Sequence, residues 1–159
     1  MKQESLARWL KGVIGIVFIC GLILCGYVLP VWGKLIIEEE LGVKGGYMGW
    51  CVLLWLSAIP AFGILLIGWK VATEIGRDNS FSETNAISLK YVSVLSMASA
   101  VIFFAGNIIF LITGRNRLGI LFLSCLLVFV TVAVSVAAAL ISHLIYKAAT
   151  MQEENQLTI

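Results

Sequence analysis

Residues 118–146 read LGILFLSCLLVFVTVAVSVAAALISHLIY, 29 positions without a Lys, Arg, Asp or Glu. Wound as an α-helix at 1.5 Å per residue, they make a rod of about 43 Å. The hydrocarbon core of a bilayer is roughly 30 Å thick and takes about 20 apolar helical residues to cross. Three further charge-free runs precede it, 12–33, 45–69 and 91–114, of 22, 25 and 24 residues. Together the four hold 100 of 159 residues. The expected fold is all-α, an integral membrane four-helix bundle. Residues 1–159 form a single membrane domain with helices over about 12–33, 47–69, 82–113 and 118–150. The third helix includes a lead-in outside the membrane.

Composition agrees. The chain is 60% hydrophobic and 13% charged, against about 25% charged in ordinary soluble domains. The net charge of +2 is spread along the chain. That leaves no basic footprint for direct nucleic-acid binding. Lys2, Arg8 and Lys11 before an apolar stretch imitate a signal peptide. The run that follows is about twice the usual length and lacks a small-x-small cleavage site, so the helix is expected to stay.

Lys and Arg mark cytoplasmic loops. Lys2, Arg8, Lys11, Lys70, Arg77, Lys90 and Lys147 fall on one side, and Lys34, Lys44, Arg115 and Arg117 on the other. The bias predicts both termini inside, N-in/C-in. Thr113-Gly114-Arg115-Asn116 reads as a sharp turn joining the last two runs as an antiparallel hairpin. Trp9, Trp32, Tyr47, Trp50, Trp69, Tyr91 and Tyr146 sit near the run ends, where amphipathic rings settle at the headgroups.

Inside the runs, Pro60 removes a backbone donor and should kink its helix, freeing the Leu56 carbonyl. Ser57 is the candidate to satisfy the freed groups. Thr131, Ser135 and Ala139 form a ladder of small residues at i+4, the expected packing seam. The last helix is longer than the membrane and should project inward through Ala148 and Ala149, releasing an acidic tail to solvent.

The polar candidates are few. Cys20 and Cys25, five apart, point about 140° from each other on a helix and cannot share a ligand face. A disulfide among Cys25, Cys51 and Cys125 stays open beside the reading of free thiols packed as small apolar residues. His143 is the one histidine, near the inner interface. No run holds an Asp or Glu, which removes the carboxylates of proton-driven pumps. Asn107 is the most polar residue deep in a run, and an amide in lipid wants an interhelical hydrogen bond. With His143 and the hydroxyls of Ser93, Ser96, Ser99, Ser124, Thr131 and Ser135, it makes a candidate intramembrane polar site. No nucleophile is paired with a base, so no enzyme, cofactor or metal is expected.

Outside the runs, Glu38-Glu39-Glu40 reads as a solvated charge run, and Val43-Lys44-Gly45-Gly46 as a flexible turn. Gly76-Arg77-Asp78-Asn79 reads as a helix stop, and Ser80-x-x-Glu83 as a capping box that starts a helix near Phe81. Phe81, Asn85 and Leu89 then share one stripe.

Phe81-x-x-x-Asn85-x-x-x-Leu89 and the ending Glu153-Glu154-Asn155-Gln156-Leu157-Thr158-Ile159 resemble the YoaS-like family of small bacterial membrane proteins. Gln156 departs from the family pattern, where an acidic residue is common. The resemblance implies a multi-pass protein of the bacterial inner membrane with no established activity. It also implies a neighbour in the genome, a small helix-turn-helix regulator that this chain would bind.

Two expectations follow. In the first, Phe81, Asn85, Glu153, Glu154, Asn155 and Leu157 form a cytoplasmic surface for a cytosolic regulator. In the second, Asn107, His143 and the hydroxyl seam line a path for a small transporter or toxin-immunity protein. Oligomeric state is not readable from the chain.

Overall fold

The computed structural model describes residues 3–40, 46–77 and 79–157, and for Gln3, Ile36, Glu40 and residues 155–157 it describes the backbone alone. The elements are α1 (Gln3–Ile23), α2 (Leu29–Lys34), α3 (Tyr47–Ile75), α4 (Glu83–Ile112) and α5 (Leu118–Leu157). Leu24–Val28 and Leu35–Glu40 are π-helical, the first joining α1 to α2 and the second carrying the same rod on through Glu40. Among the described residues no strand occurs. Four stretches are long and apolar enough to cross a membrane: Glu4–Lys34, Tyr47–Ile75, Glu83–Ile112 and Leu118–Glu154.

The first rod begins well before residue 12 and runs on past residue 33, so Glu38 and Glu39 sit on helix rather than in a loop. Residues 43–45 of the expected turn lie outside the described residues. The wide turn at 24–28 has a cause in Pro30. Proline has no N–H to donate, and its ring crowds the carbonyl four residues back. Inserting a π turn just before it shifts the bonding register. The Leu29 N–H donates to the Leu24 carbonyl, five residues back. In that register the Cys25 carbonyl faces Pro30, which has nothing to give. Trp55 of α3 supplies the missing donor, its Nε1 lying 3.1 Å from the Cys25 oxygen.

Neighbouring helices run antiparallel and pack chiefly in chain order, α1 on α3, α3 on α4 and, most extensively, α4 on α5. Close approach needs small residues, since lipid gives apolar helices no reason to squeeze together. A Cβ on Gly21 would come within 3.1 Å of Phe62, one on Gly33 within 2.9 Å of Tyr47, and one on Gly106 would collide with the Leu53 side chain. At one end, Ile37, Trp50 and Leu53 form a buried cluster with Tyr47, Phe103, Phe110 and Ile120 packed around it.

Pro60 is buried inside an unbroken α3. The expected helper takes a different part. The Ser57 hydroxyl donates to the Leu53 carbonyl at 2.8 Å. Ser99 of α4 donates its hydroxyl to the Ser57 carbonyl at 3.0 Å, next in the chain to the Leu56 carbonyl that Pro60 leaves without its donor.

The α4–α5 hairpin is set by two paired contacts. Ser135 donates to the Ser93 carbonyl at 2.8 Å, and Ser142 donates to the Ala86 carbonyl at 2.6 Å. The buried side of α5 passes through Ser124, Ser135 and Ala138, with Val128, Thr131 and Ser142 half-buried between. Ala139 is exposed, which corrects the ladder read from spacing. Each i+4 step overshoots a full turn by about 40°. A seam that stays on its partner must alternate steps of three and four, and 124, 128, 131, 135, 138, 142 does so. The hairpin turn is as expected. Gly114 takes φ +69°, and the N–H groups of Arg115 and Gly114 close on the carbonyls of Phe110 and Leu111.

Candidate functional site

At the end of the molecule holding the 76–82 loop, α3 stops at Ile75 and Gly76 closes it, its N–H donating to the Ala72 carbonyl. Glu74 then gathers the loop. Its carboxylate takes the Arg77 guanidinium at 3.3 Å and the Asn79 amide at 3.0 Å. Asp78 lies outside the described residues. The helix cap is Ser82, with extended backbone and a hydroxyl that accepts the Asn85 N–H at 3.3 Å, so α4 starts at Glu83. The expected cap at Ser80 is two residues too early. Local spacing cannot separate the two serines, because each stands before residues able to continue a helix.

Asn85 is 1% exposed. Its amide nitrogen turns back and donates to the carbonyls of Asn79 and Ser80, at 2.9 and 3.2 Å. Its Oδ1 is buried without a partner. Asn85 therefore ties the loop down from beneath and presents nothing outward. Phe81, on the same loop, is 62% exposed and is the group that faces out.

α5 carries the tail. The Ser142–Ala86 and Ser135–Ser93 contacts fix its register against α4, and carried forward they bring Glu83 level with about residue 145. Beyond that level α5 continues as helix to Leu157, on the order of 18 Å of rod. The tail is thus helical rather than a segment that leaves the surface. Met151, Glu153 and Glu154 are exposed on it. The side chains of Asn155 and Leu157, and all of Thr158 and Ile159, lie outside the described residues.

Asn107 and His143 do not come together. Asn107 sits near the 113–117 turn and is fully buried. Its amide nitrogen donates to the Phe103 carbonyl at 2.8 Å, and its Oδ1 accepts from the Asn116 amide at 3.1 Å. Asn116 in turn holds the Arg117 N–H at 2.8 Å. Trp50 closes the same corner, its Nε1 donating to the Arg115 carbonyl at 3.3 Å. His143 is exposed near the opposite end, in the wall of a groove between α4 and α5.

The intramembrane hydroxyls are likewise turned to packing. Ser93 meets Ser135, Ser99 meets Ser57, and Thr131 bonds within its own helix to Leu127. All four cysteines are free thiols. Among the described residues, no group of three or more His, Cys, Asp and Glu converges to hold a metal ion.

Asn116, Trp55 and Lys90 are the polar contributors that spacing did not single out. Asn116 had one usable signal, an amide between two arginines in the turn beside a buried-amide candidate.

Comparison with known proteins agrees with a membrane protein. A family model described as "Protein of unknown function (DUF2975)" matches residues 31–159. The "Uncharacterized membrane protein YoaS" of Bacillus subtilis (strain 168) is 24% identical over 155 residues, covering 95% of this chain and 96% of that protein. No solved structure matches the chain.

Proposed function

Because this chain belongs to the DUF2975 family, whose function is unknown, we propose a function from its own surfaces: a non-enzymatic membrane anchor that docks a cytosolic regulator. The observation that carries the reading is the α5 extension. The rod continues past the level of the first residue of α4, so packing against α4 alone does not account for its length. It bears Glu153 and Glu154 on a solvent-facing helix end, suited to a basic partner surface. Phe81 adds an exposed aromatic on the neighbouring loop, a residue type enriched at interfaces. The partner is a helix-turn-helix regulator of the bacterial cytosol, as the family resemblance implied. The setting is the bacterial inner membrane with both termini inside.

Residues 152–159 of the full-length protein are the segment to delete. The expected outcome is normal insertion and loss of co-purification with the neighbouring regulator. Retention of the regulator by the shortened protein sinks the reading. Phe81→Ala should weaken the same capture by roughly ten-fold, the effect of a modest interface hot spot.

A further inference from the structure

The face of α4 and α5 turned away from α3 carries a continuous groove. Its outer part, about 540 Å³, is lined by Lys90, Ile87 and Val94 on α4 and by His143 and Tyr146 on α5, with buried Ala86 and half-buried Ser93 and Ser142 between the helices. A second hollow adjoins it, sharing Ser93 and Val94, and runs on past Met97, Ala98, Val101 and Ile102. One end is therefore polar and the other almost wholly apolar. From Lys90 to Ile102 is twelve residues, or about 18 Å of helix. That is close to one leaflet of a bilayer whose core is roughly 30 Å.

The polar end sits at the membrane boundary. Lys90 is the last charged residue of α4 before its apolar run, and Tyr146 is the last residue of the apolar run on α5. Lys90 makes no ion pair among the described residues, and no carboxylate lines the groove. An ammonium, an imidazole and a phenol are donors suited to a phosphate diester. The cleft between α1 and α3 also holds cations, Arg8, Lys11 and Arg77, but Glu4 lies in its wall, Arg77 is paired with Glu74, and Lys11 rests over the Trp69 ring. Two carboxylates thus stand in or beside that cleft, whereas none is among the residues that line the groove at Lys90.

We infer that the α4/α5 groove binds an anionic glycerophospholipid of the surrounding bilayer, its phosphate at Lys90, His143 and Tyr146 and one acyl chain along Val94, Met97, Ala98 and Val101. The site is separate from the α5 extension and does not depend on the docking role.

The test uses full-length protein in detergent, titrated by native mass spectrometry with phosphatidylglycerol and phosphatidylcholine of identical acyl chains. Phosphatidylglycerol should bind at least about five-fold tighter, the effect of one lysine at a membrane surface. Lys90→Gln should bring the two lipids level without changing the lipid-free melting temperature, because Lys90 is exposed and unpaired. Ala98→Phe should weaken both lipids by filling the apolar half. Lys11→Gln should leave the preference as it was. Inorganic phosphate should not displace the lipid, since it lacks the chain. Equal binding of the two lipids, a preference that survives Lys90→Gln, or displacement by inorganic phosphate overturns the inference.

Discussion

Asn107 shows what one buried amide does in this protein. Its oxygen takes the Asn116 nitrogen and its nitrogen takes the Phe103 carbonyl, so both ends of the amide are bonded. An amide left with one partner in a dry site costs about 1–3 kcal/mol. Asn116→Ala should therefore destabilise the folded protein by about that amount, measured as unfolding in mixed micelles. Adding Asn107→Leu should restore part of the loss, because the stranded oxygen goes with it. Additive losses would mean that the two amides are not coupled. The need of Asn107 for a partner was legible from its place in an apolar run. The partner was not, because Asn116 lies nine residues on and reaches it only through the fold of the turn. Asn85 is the reverse case. On a helical stripe with Phe81 it looked outward-facing, but backbone geometry at Ser82 rolls it under the loop.

At the scale of elements, two prolines are handled in two ways. Pro60 stays within an unbroken α3, where a hydroxyl from α4 bonds the Ser57 carbonyl, the neighbour of the Leu56 carbonyl that the proline leaves without its donor. Pro30 is absorbed by a π turn, and an indole from α3 takes the carbonyl that the turn exposes. Trp55→Phe keeps the ring but removes that donor, and should cost about 1 kcal/mol of stability. Pro30→Ala in the same chain should recover most of it, because residue 30 regains an N–H for its own helix. No recovery would mean that the indole acts by packing alone. Length and hydropathy located all four spans, since transfer into lipid is a one-dimensional property of the chain. They could not say which face meets which. In water a buried stripe stands out against a polar one, but here lipid and protein interior are both apolar. The seam on α5 shows through only as small residues, which is how Ala139 was taken for Ala138.

For the whole molecule, exposed Leu, Ile, Val and Phe side chains cover the outer faces of α1, α4 and α5, a surface matched to hydrocarbon rather than water. By the bias of Lys and Arg, we propose that the 76–82 loop and both termini face the cytoplasm. With the four native cysteines changed to alanine, single cysteines at Asn79 and Arg115 test that orientation. A membrane-impermeant maleimide should reach residue 115 in intact cells and residue 79 only after permeabilisation. The opposite pattern reverses the whole assignment, and with it the side from which the α5 extension and Lys90 act.

The π turn before Pro30 also works as a rotational setting. It stores one more residue than an α-helical turn would hold. Were it to relax to α-helix, everything on its N-terminal side would swing by about 100° about the rod's axis. Gly21 would leave Phe62, Ala7 would leave Gly76, and the Lys11 ammonium would turn off the Trp69 ring. The indole on the Cys25 carbonyl therefore acts as a detent, adding one hydrogen bond to the packing that keeps about twenty upstream residues in phase with α3. One residue gained or lost in the 24–30 stretch would turn that half of the rod against its neighbour, while one gained at the far end of α5 would only lengthen it.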